Sequence, residues 1–465
     1  MHNEVIYNHL LTNREDLFGL RILPGVVRQY VDSAPELLKD PAFFTCMAAL
    51  SVYNSRLQVT YNDKSKMGVQ LQVFVSAPQA SGKGNLDRIQ REIMELMSNF
   101  NDEELAREND YRNKHPKTHH KMPFQTCVFI LPPSTSRFQM CRRASDIQKR
   151  FNESGGICFY TFSPEIGMAI DASQQSYSDL RNINLITYDG GKIGMDHGGE
   201  NSFHGQVNAR QSLLYLGTPS AMNRYFNTLS IENGTLGRVI LCSFKQPIGS
   251  RKPIFDDITT VEKAKMDKVL HILFNEVFDP SDENQLMPMK HLDMKFLYPE
   301  INNFEDITIG EAIKYQSHSI DTFRKRSAVS AFRIAAISYN MYLVENEILP
   351  KTEKLSQEEI EDNVKTIFCY SAYYILYSIL EKFGETAEAL NQTAEQNIIP
   401  ASYNRISLYD SMPQIFSHKE VKEKLEEREF RSNVCSVIYK WKKEGKIKEI
   451  DKMTYQKVKK PTDNP

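Results

Sequence analysis

Residues 73–86 read Val73-Phe74-Val75-Ser76-Ala77-Pro78-Gln79-Ala80-Ser81-Gly82-Lys83-Gly84-Asn85-Leu86, and this stretch decides the fold. The apolar run Leu71, Val73, Phe74 and Val75 predicts a buried strand. A small-residue loop follows, and then Leu86, Ile89, Ile93, Met94 and Met97 recur at helical spacing. Strand, glycine-containing loop with a lysine, and helix is the order of a phosphate-binding loop. The chemistry needs backbone N–H groups aimed at an anion, a helix N-terminus behind them and an ammonium that reaches the terminal phosphates. Ser81, Gly82, Lys83, Gly84 and Asn85 are therefore the expected nucleotide-binding set, with ATP as ligand. Two positions depart from the usual pattern. Ala77 stands where a first glycine is expected, and Gly84 where a Ser or Thr hydroxyl would hold Mg²⁺. The alternative for the whole stretch is an ordinary glycine-containing turn between a strand and a helix.

Outward from the loop, runs at 126–131, 157–162, 212–216 and 238–244 read as further strands separated by helical stretches. Ser134-Thr135-Ser136 offers N-cap hydroxyls to the first of these helices. Apolar strands alternating with helices predict an α/β core with a mostly parallel sheet covered on both faces. Residues 1–70 read as an N-terminal helical region, 71–250 as the P-loop NTPase core and 251–400 as a helical domain. The core is interrupted by a charged insertion at 101–122, expected to be a solvated helix extension or a linker. His115, His119 and His120 within it lack a Cys or carboxylate to complete a metal site, so no metal-ligating residues are assigned.

A P-loop ATPase also needs an acid at the tip of a neighbouring strand, to orient water and help hold Mg²⁺. Glu165, after Ser163-Pro164, takes that place. The aspartate expected before it is absent, and Asp171 is the next carboxylate, equally readable as a helix-surface acid. Thr218, in Gly217-Thr218-Pro219, is placed to sense the terminal phosphate, or is simply part of a turn. Arg238, after Asn233-Gly234-Thr235-Leu236-Gly237, fits an arginine finger acting across a subunit boundary, or a surface arginine.

The tail, 405–460, carries a separate pattern. Ser417-His418-Lys419-Glu420 is a capping box, and a second helix from Ser432 spaces Val434, Val437, Ile438 and Trp441. Gly445 ends it, and two short strands follow, which makes a winged helix. Lys440, Lys442, Lys443, Lys446, Lys448, Lys452, Lys457, Lys459 and Lys460 form a basic patch suited to DNA phosphates, or a solvated face of a protein-interaction module. The 465-residue chain has a net charge of −2, so nucleic-acid contact must come from such a local patch. Seven single cysteines, no secretory signal and no bilayer-length apolar run suit a reduced, cytoplasmic, non-membrane protein.

The shared order of Ala80-Ser81-Gly82-Lys83-Gly84, residues 129–136, Gly155-Gly156 with its strand, Tyr177-Ser178-Asp179, Leu216-Gly217-Thr218-Pro219 and residues 232–238 resembles a family. It is similar to the primase-helicase-like P-loop ATPases of Bacteroidetes mobile elements and phages, related to primase-associated helicases of viruses and plasmids. The resemblance covers about residues 20–395, including Arg324-Lys325-Arg326-Ser327 through Phe332-Arg333-Ile334. Glycine after the P-loop lysine is common in that family. The resemblance implies that Lys83 binds phosphate, Glu165 is the catalytic acid, Thr218 the sensor and Arg238 the finger. It implies a homo-oligomer, a hexameric ring for helicases of this kind, and a chain supplying motor and DNA-binding parts without a preceding primase domain. The departure at Ser163-Pro164 leaves open a second reading: a nucleotide-binding regulatory or scaffold protein that does not turn ATP over. A transcriptional regulator built on the winged helix is a third.

Overall fold

The computed structural model describes the chain apart from residues 1–3, 21, 117–121, 154–155, 174–180, 197–203, 227–233, 283, 397–407, 428–433, 452 and 459–465. His119, His120, Gly155, Tyr177, Ser178, Asp179, Glu232, Asn233, Ser432, Lys452, Lys459 and Lys460 therefore lie outside the described residues. The chain divides into two compact units, Met1–Leu390 and Asn391–Pro465.

Unit one opens with helices Glu4–Gly19, Gly25–Ser33 and Lys39–Tyr53. Residues 1–70 also contain the short strands β1 (Leu57–Thr60) and β2 (Lys66–Met67). Helix Lys39–Tyr53 is buried on every side from Pro41 to Tyr53, so it lies inside the core and has no solvent-facing stripe.

The central sheet starts with β3 (Gln72–Ser76) and takes in β4 (Cys158–Ser163). The hairpin β5 (Lys192–Asp196) and β6 (His204–Asn208) stands apart from it, and β7 (Arg210–Gly217) and β8 (Ile240–Ser243) complete it. The four strands run in the order β4-β7-β3-β8, and every pairing is parallel. β3 is buried throughout and β7 nearly so, which is what a sheet covered on both faces demands. Helices Lys39–Tyr53 and Gly84–Ile93 cover one face. On the other, Gln72 Nε2 donates to the carbonyl of Asn184 in helix Arg181–Tyr188, and Phe74 meets Tyr225 and Phe226 at the end of helix Pro219–Tyr225. A separate three-stranded sheet, order β2-β1-β9, takes in β9 (Lys290–Leu292), after which the chain is helical through Tyr298–Tyr315, His318–Ile348 and Gln357–Gln396. One continuous apolar core runs from Ile6 to Ala387.

Two expectations change here. The run 126–131 forms only a bridge, Ile130 to Tyr160. The amides of Phe129 and Ile130 donate to Asn101 Oδ1, and that of Cys127 donates to Glu104, so side chains replace a further strand. The charged stretch that supplies them is a helical extension with a solvated face and one buried face. It lies largely in helix Glu95–Lys114, whose Asn101, Glu104 and Glu108 are buried at i, i+3 and i+7. Arg150 pairs with Glu104, and Arg143 and Arg112 pair with Glu108. Burial alone would raise the Glu108 carboxyl, but Arg143 and Arg112 outweigh it and hold it below its ordinary range.

Unit two contains β10 (Ile415–Ser417), helices His418–Glu427 and Val434–Lys443, and the strands β11 (Ile447–Asp451) and β12 (Thr454–Lys457). Its antiparallel sheet has the order β10-β12-β11. The capping box forms: Ser417 Oγ accepts from the Glu420 amide at 3.3 Å, and the Ser417 amide donates to Glu420 Oε2 at 2.7 Å. A small core of its own joins Phe416, Val421, Leu425, Ile438, Trp441 and Tyr455. Gly445 adopts φ +66°, the left-handed turn that ends helix Val434–Lys443.

Candidate functional site

The loop after β3 is held at both ends. The Ala77 amide donates to the Gly217 carbonyl at 3.0 Å, and Ser81 Oγ donates back to the Pro78 carbonyl at 2.7 Å. Ala80 and Gly82 take φ values of +59° and +89°, which aim successive amides in one direction. Helix Gly84–Ile93 starts at once, burying Leu86, Ile89, Gln90 and Ile93 against the core. The amides of Asn85 and Leu86 turn back onto Gly82 and Lys83. Those of Gly82, Lys83 and Gly84 meet no protein acceptor among the described residues. Three amides without a protein acceptor thus gather at one helix N-terminus, a cradle that could receive an anion.

The acid arrives from two strands away. β4 ends at Ser163, whose hydroxyl donates to the Glu165 carbonyl at 2.7 Å and fixes the turn. The Ile166 amide then donates to the Leu216 carbonyl at 2.7 Å, stitching this turn to the tip of β7. A Cβ on Gly217 would lie 2.6 Å from Ile166 Cγ2, so only glycine permits the crossing. Both the loop and the Glu165 turn are therefore tied to the end of β7. Across that tip Lys83 Nζ and Glu165 Oε1 meet at 2.7 Å. Lys83 is mostly enclosed, at 15% exposure, whereas Glu165 is 52% exposed and able to turn outward. Asp171, on helix Gly167–Ser173, is exposed and takes no part in this pair.

The other expected residues do not converge on one point. Thr218 directly follows Gly217, at the edge of the cradle, but its hydroxyl caps helix Pro219–Tyr225 by accepting from the Ala221 amide. Arg238 ends a short turn just before β8, level with the start of β3. The length of β3, about 17 Å for its five residues, separates it from the loop of its own chain. There Asp189 Oδ2 accepts from Arg238 Nη2 at 2.7 Å and from Nε at 3.1 Å, and Arg326 approaches the other oxygen at 3.6 Å. Asp189 carries no signal of this role in the sequence: Asp189-Gly190-Gly191 marks only a turn, and nothing local ties it to Arg238 and Arg326, 49 and 137 positions away.

The fit of a protein-bound Mg²⁺ is poor. Gly84 offers no hydroxyl, Glu165 is engaged by Lys83, and no group of three His, Cys, Asp or Glu side chains that could hold a metal occurs among the described residues. His115 instead lies on the Tyr111 carbonyl. No described helix is long and apolar enough to cross a membrane.

In unit two, Ser436, Tyr439, Lys440 and Lys443 are exposed on one face of helix Val434–Lys443. Lys440 reaches Glu444 at 4.0 Å, and other lysines of the basic patch are engaged more closely: Lys442 by Glu449, Lys446 by Glu444, and Lys457 by the Met412 carbonyl. No protein-family model matches the chain, and no curated protein is significantly similar to it.

Proposed function

We propose that the chain is an ATP-binding, primase-helicase-like DNA-processing protein of a mobile element, with a P-loop core and a winged-helix tail. The observation that carries the reading is the Lys83–Glu165 pair set over three unpartnered amides at a helix N-terminus. A triphosphate entering the cradle competes with Glu165 for Lys83. Lys83 then turns to the phosphates, and the released Glu165 carboxylate is free to accept a proton from an attacking water. The cradle binds and orients, the enclosed Lys83 carries charge, and Glu165 moves the proton. Arg238, remote from its own loop, would serve a neighbouring copy in a ring, with Asp189 holding it beforehand. Ser436, Tyr439, Lys440 and Lys443 would meet DNA as the exposed face of a recognition helix.

A second reading, a nucleotide-binding regulator or scaffold without turnover, draws on Gly84 and on the poor metal fit. Steady-state ATP hydrolysis with and without single-stranded DNA, beside a Lys83→Ala control, separates the two. DNA-stimulated turnover that disappears in the control is the expected result. Lys83-dependent ATP binding without turnover leaves the regulator, and no Lys83-dependent binding refutes both.

A further inference from the structure

Between Ser243 and helix Thr260–Asn275 the chain crosses back over the phosphate loop as a strap. It leaves β8 with the Phe244 amide donating to the Ser76 carbonyl at 3.2 Å. Its turn closes through the Ser250 amide on the Pro247 carbonyl, with Gly249 at φ +86°, and through Gln246 Nε2 on the Arg251 carbonyl at 3.2 Å. The Pro253 ring then lies against the loop: a Cβ on Gly82 would sit 3.0 Å from its Cγ and 3.1 Å from its Cδ. Phe255 is buried with the guanidinium of Arg88, on the P-loop helix, 5.8 Å from its ring centre, and the Asp256 amide donates to the Ser33 carbonyl at 2.8 Å. The strap is thus pinned before and after the two residues that precede Pro253. Those residues are Arg251 and Lys252, both exposed and neither in an ion pair among the described residues.

We propose that Arg251 and Lys252 are phosphate-binding residues of the nucleotide site, supplying the positive charge that a P-loop hydroxyl and its metal ion would otherwise bring. The inference rests on the ATP-binding reading above. Its reason is charge. ATP brings several negative charges, while Lys83 and Glu165 sum to zero and the helix end adds about half a unit. Gly84 offers a metal ion no hydroxyl, and no group of three metal-ligating side chains occurs among the described residues, so the deficit must be met elsewhere. The strap places two cations next in sequence to the proline that touches the loop. Arg251 brings a planar fork suited to two phosphate oxygens, and Lys252 a compact point charge.

The test is calorimetric titration of ATP into the full chain, in Mg²⁺ and in EDTA, for the parent, an Arg251→Ala/Lys252→Ala double variant and Lys83→Ala. The parent should bind ATP with nearly equal affinity in both buffers. The double variant should bind about tenfold or more weakly in EDTA, with part of the loss restored by Mg²⁺. ADP, one phosphate shorter, should lose less than ATP in the same variant. Both substituted side chains are exposed, so circular dichroism should show an unchanged fold. A parent that needs Mg²⁺ to bind, or a double variant that binds as the parent does in EDTA, overturns the proposal while leaving ATP binding intact. Parent binding that is absent, or unaltered in Lys83→Ala, overturns the nucleotide reading itself and the proposal with it.

Discussion

Replacing Glu165 by Gln should move binding and turnover in opposite directions. Glu165 occupies Lys83 at 2.7 Å, and on the proposed reading a nucleotide breaks that contact before Lys83 serves it. The pair is half-screened because Glu165 is 52% exposed, so its worth is that of a surface ion pair, about 0.2–1 kcal/mol. Removing the carboxylate's charge relieves that competition, and ATP should bind about 1.4- to 5-fold more tightly. On the proposed mechanism the same change also removes the general base, and a lost general base lowers turnover by about 10²- to 10⁴-fold. Folding stability should fall by no more than about 1 kcal/mol, because the lost contact is screened. Titration calorimetry gives the affinity, and coupled-enzyme phosphate release gives the rate, on the same preparation. Weaker ATP binding in Glu165→Gln would refute the idea that Glu165 and phosphate compete for Lys83. Unchanged turnover in an active parent would remove Glu165 from the chemistry.

Four further outcomes are expected. Gly84→Ser adds a hydroxyl where a Cβ meets nothing within 4 Å, and should make ATP binding more dependent on Mg²⁺ while leaving thermal stability equal or slightly higher; titrations in Mg²⁺ and EDTA check it. Gly82→Ala forces a side chain into φ +89° against Pro253, and should cost about 1–3 kcal/mol in denaturant unfolding and weaken ATP binding. Burial raises Glu345 to about 7, against the opposing pull of the Gly25 and Val26 amides and Arg28, so between pH 4.5 and 7 the unfolded chain ionises first and stability falls as pH rises. Glu345→Gln should flatten that slope, a difference of at most about 3 kcal/mol above pH 7, read from melting temperature against pH. Lys440→Ala/Lys443→Ala should weaken DNA binding with little regard to sequence and reduce its logarithmic salt slope by about 2.

The strand, loop and helix at 72–93 were legible because their signals are local: an unbroken apolar run, then Leu86, Ile89 and Ile93 on one helical face. The other parallel strands of the sheet were legible for the same reason, as was the Ser417–Glu420 cap. What could not be read was polarity satisfied at a distance. Glu104 and Glu108 look like solvated acids until Arg143 and Arg150, on a different helix, close over them. Lys83 and Glu165 were each picked out, yet only the shared tip of β7 brings them together across 82 residues. Thr218 was chosen for its place at a strand tip, and the geometry adds a local use for its hydroxyl as a helix cap. Pro253 and its basic neighbours carry no local pattern at all.

The acidic ridge of helix Glu95–Lys114 has a consequence for the chain's behaviour in company. Outside β4, where the central sheet could go on recruiting strands, the amides of Cys127, Phe129 and Ile130 are already committed to Glu104 and Asn101. An open margin of this kind is a template on which a foreign strand can align, and natural proteins guard such margins with charge or cover. Here the guard is a carboxylate and a carboxamide, the carboxylate neutralised by Arg150, so the margin cannot be copied by a passing backbone. Loss of Asn101 would do more than remove two hydrogen bonds: it would expose adjacent unpaired donors and invite edge-to-edge aggregation.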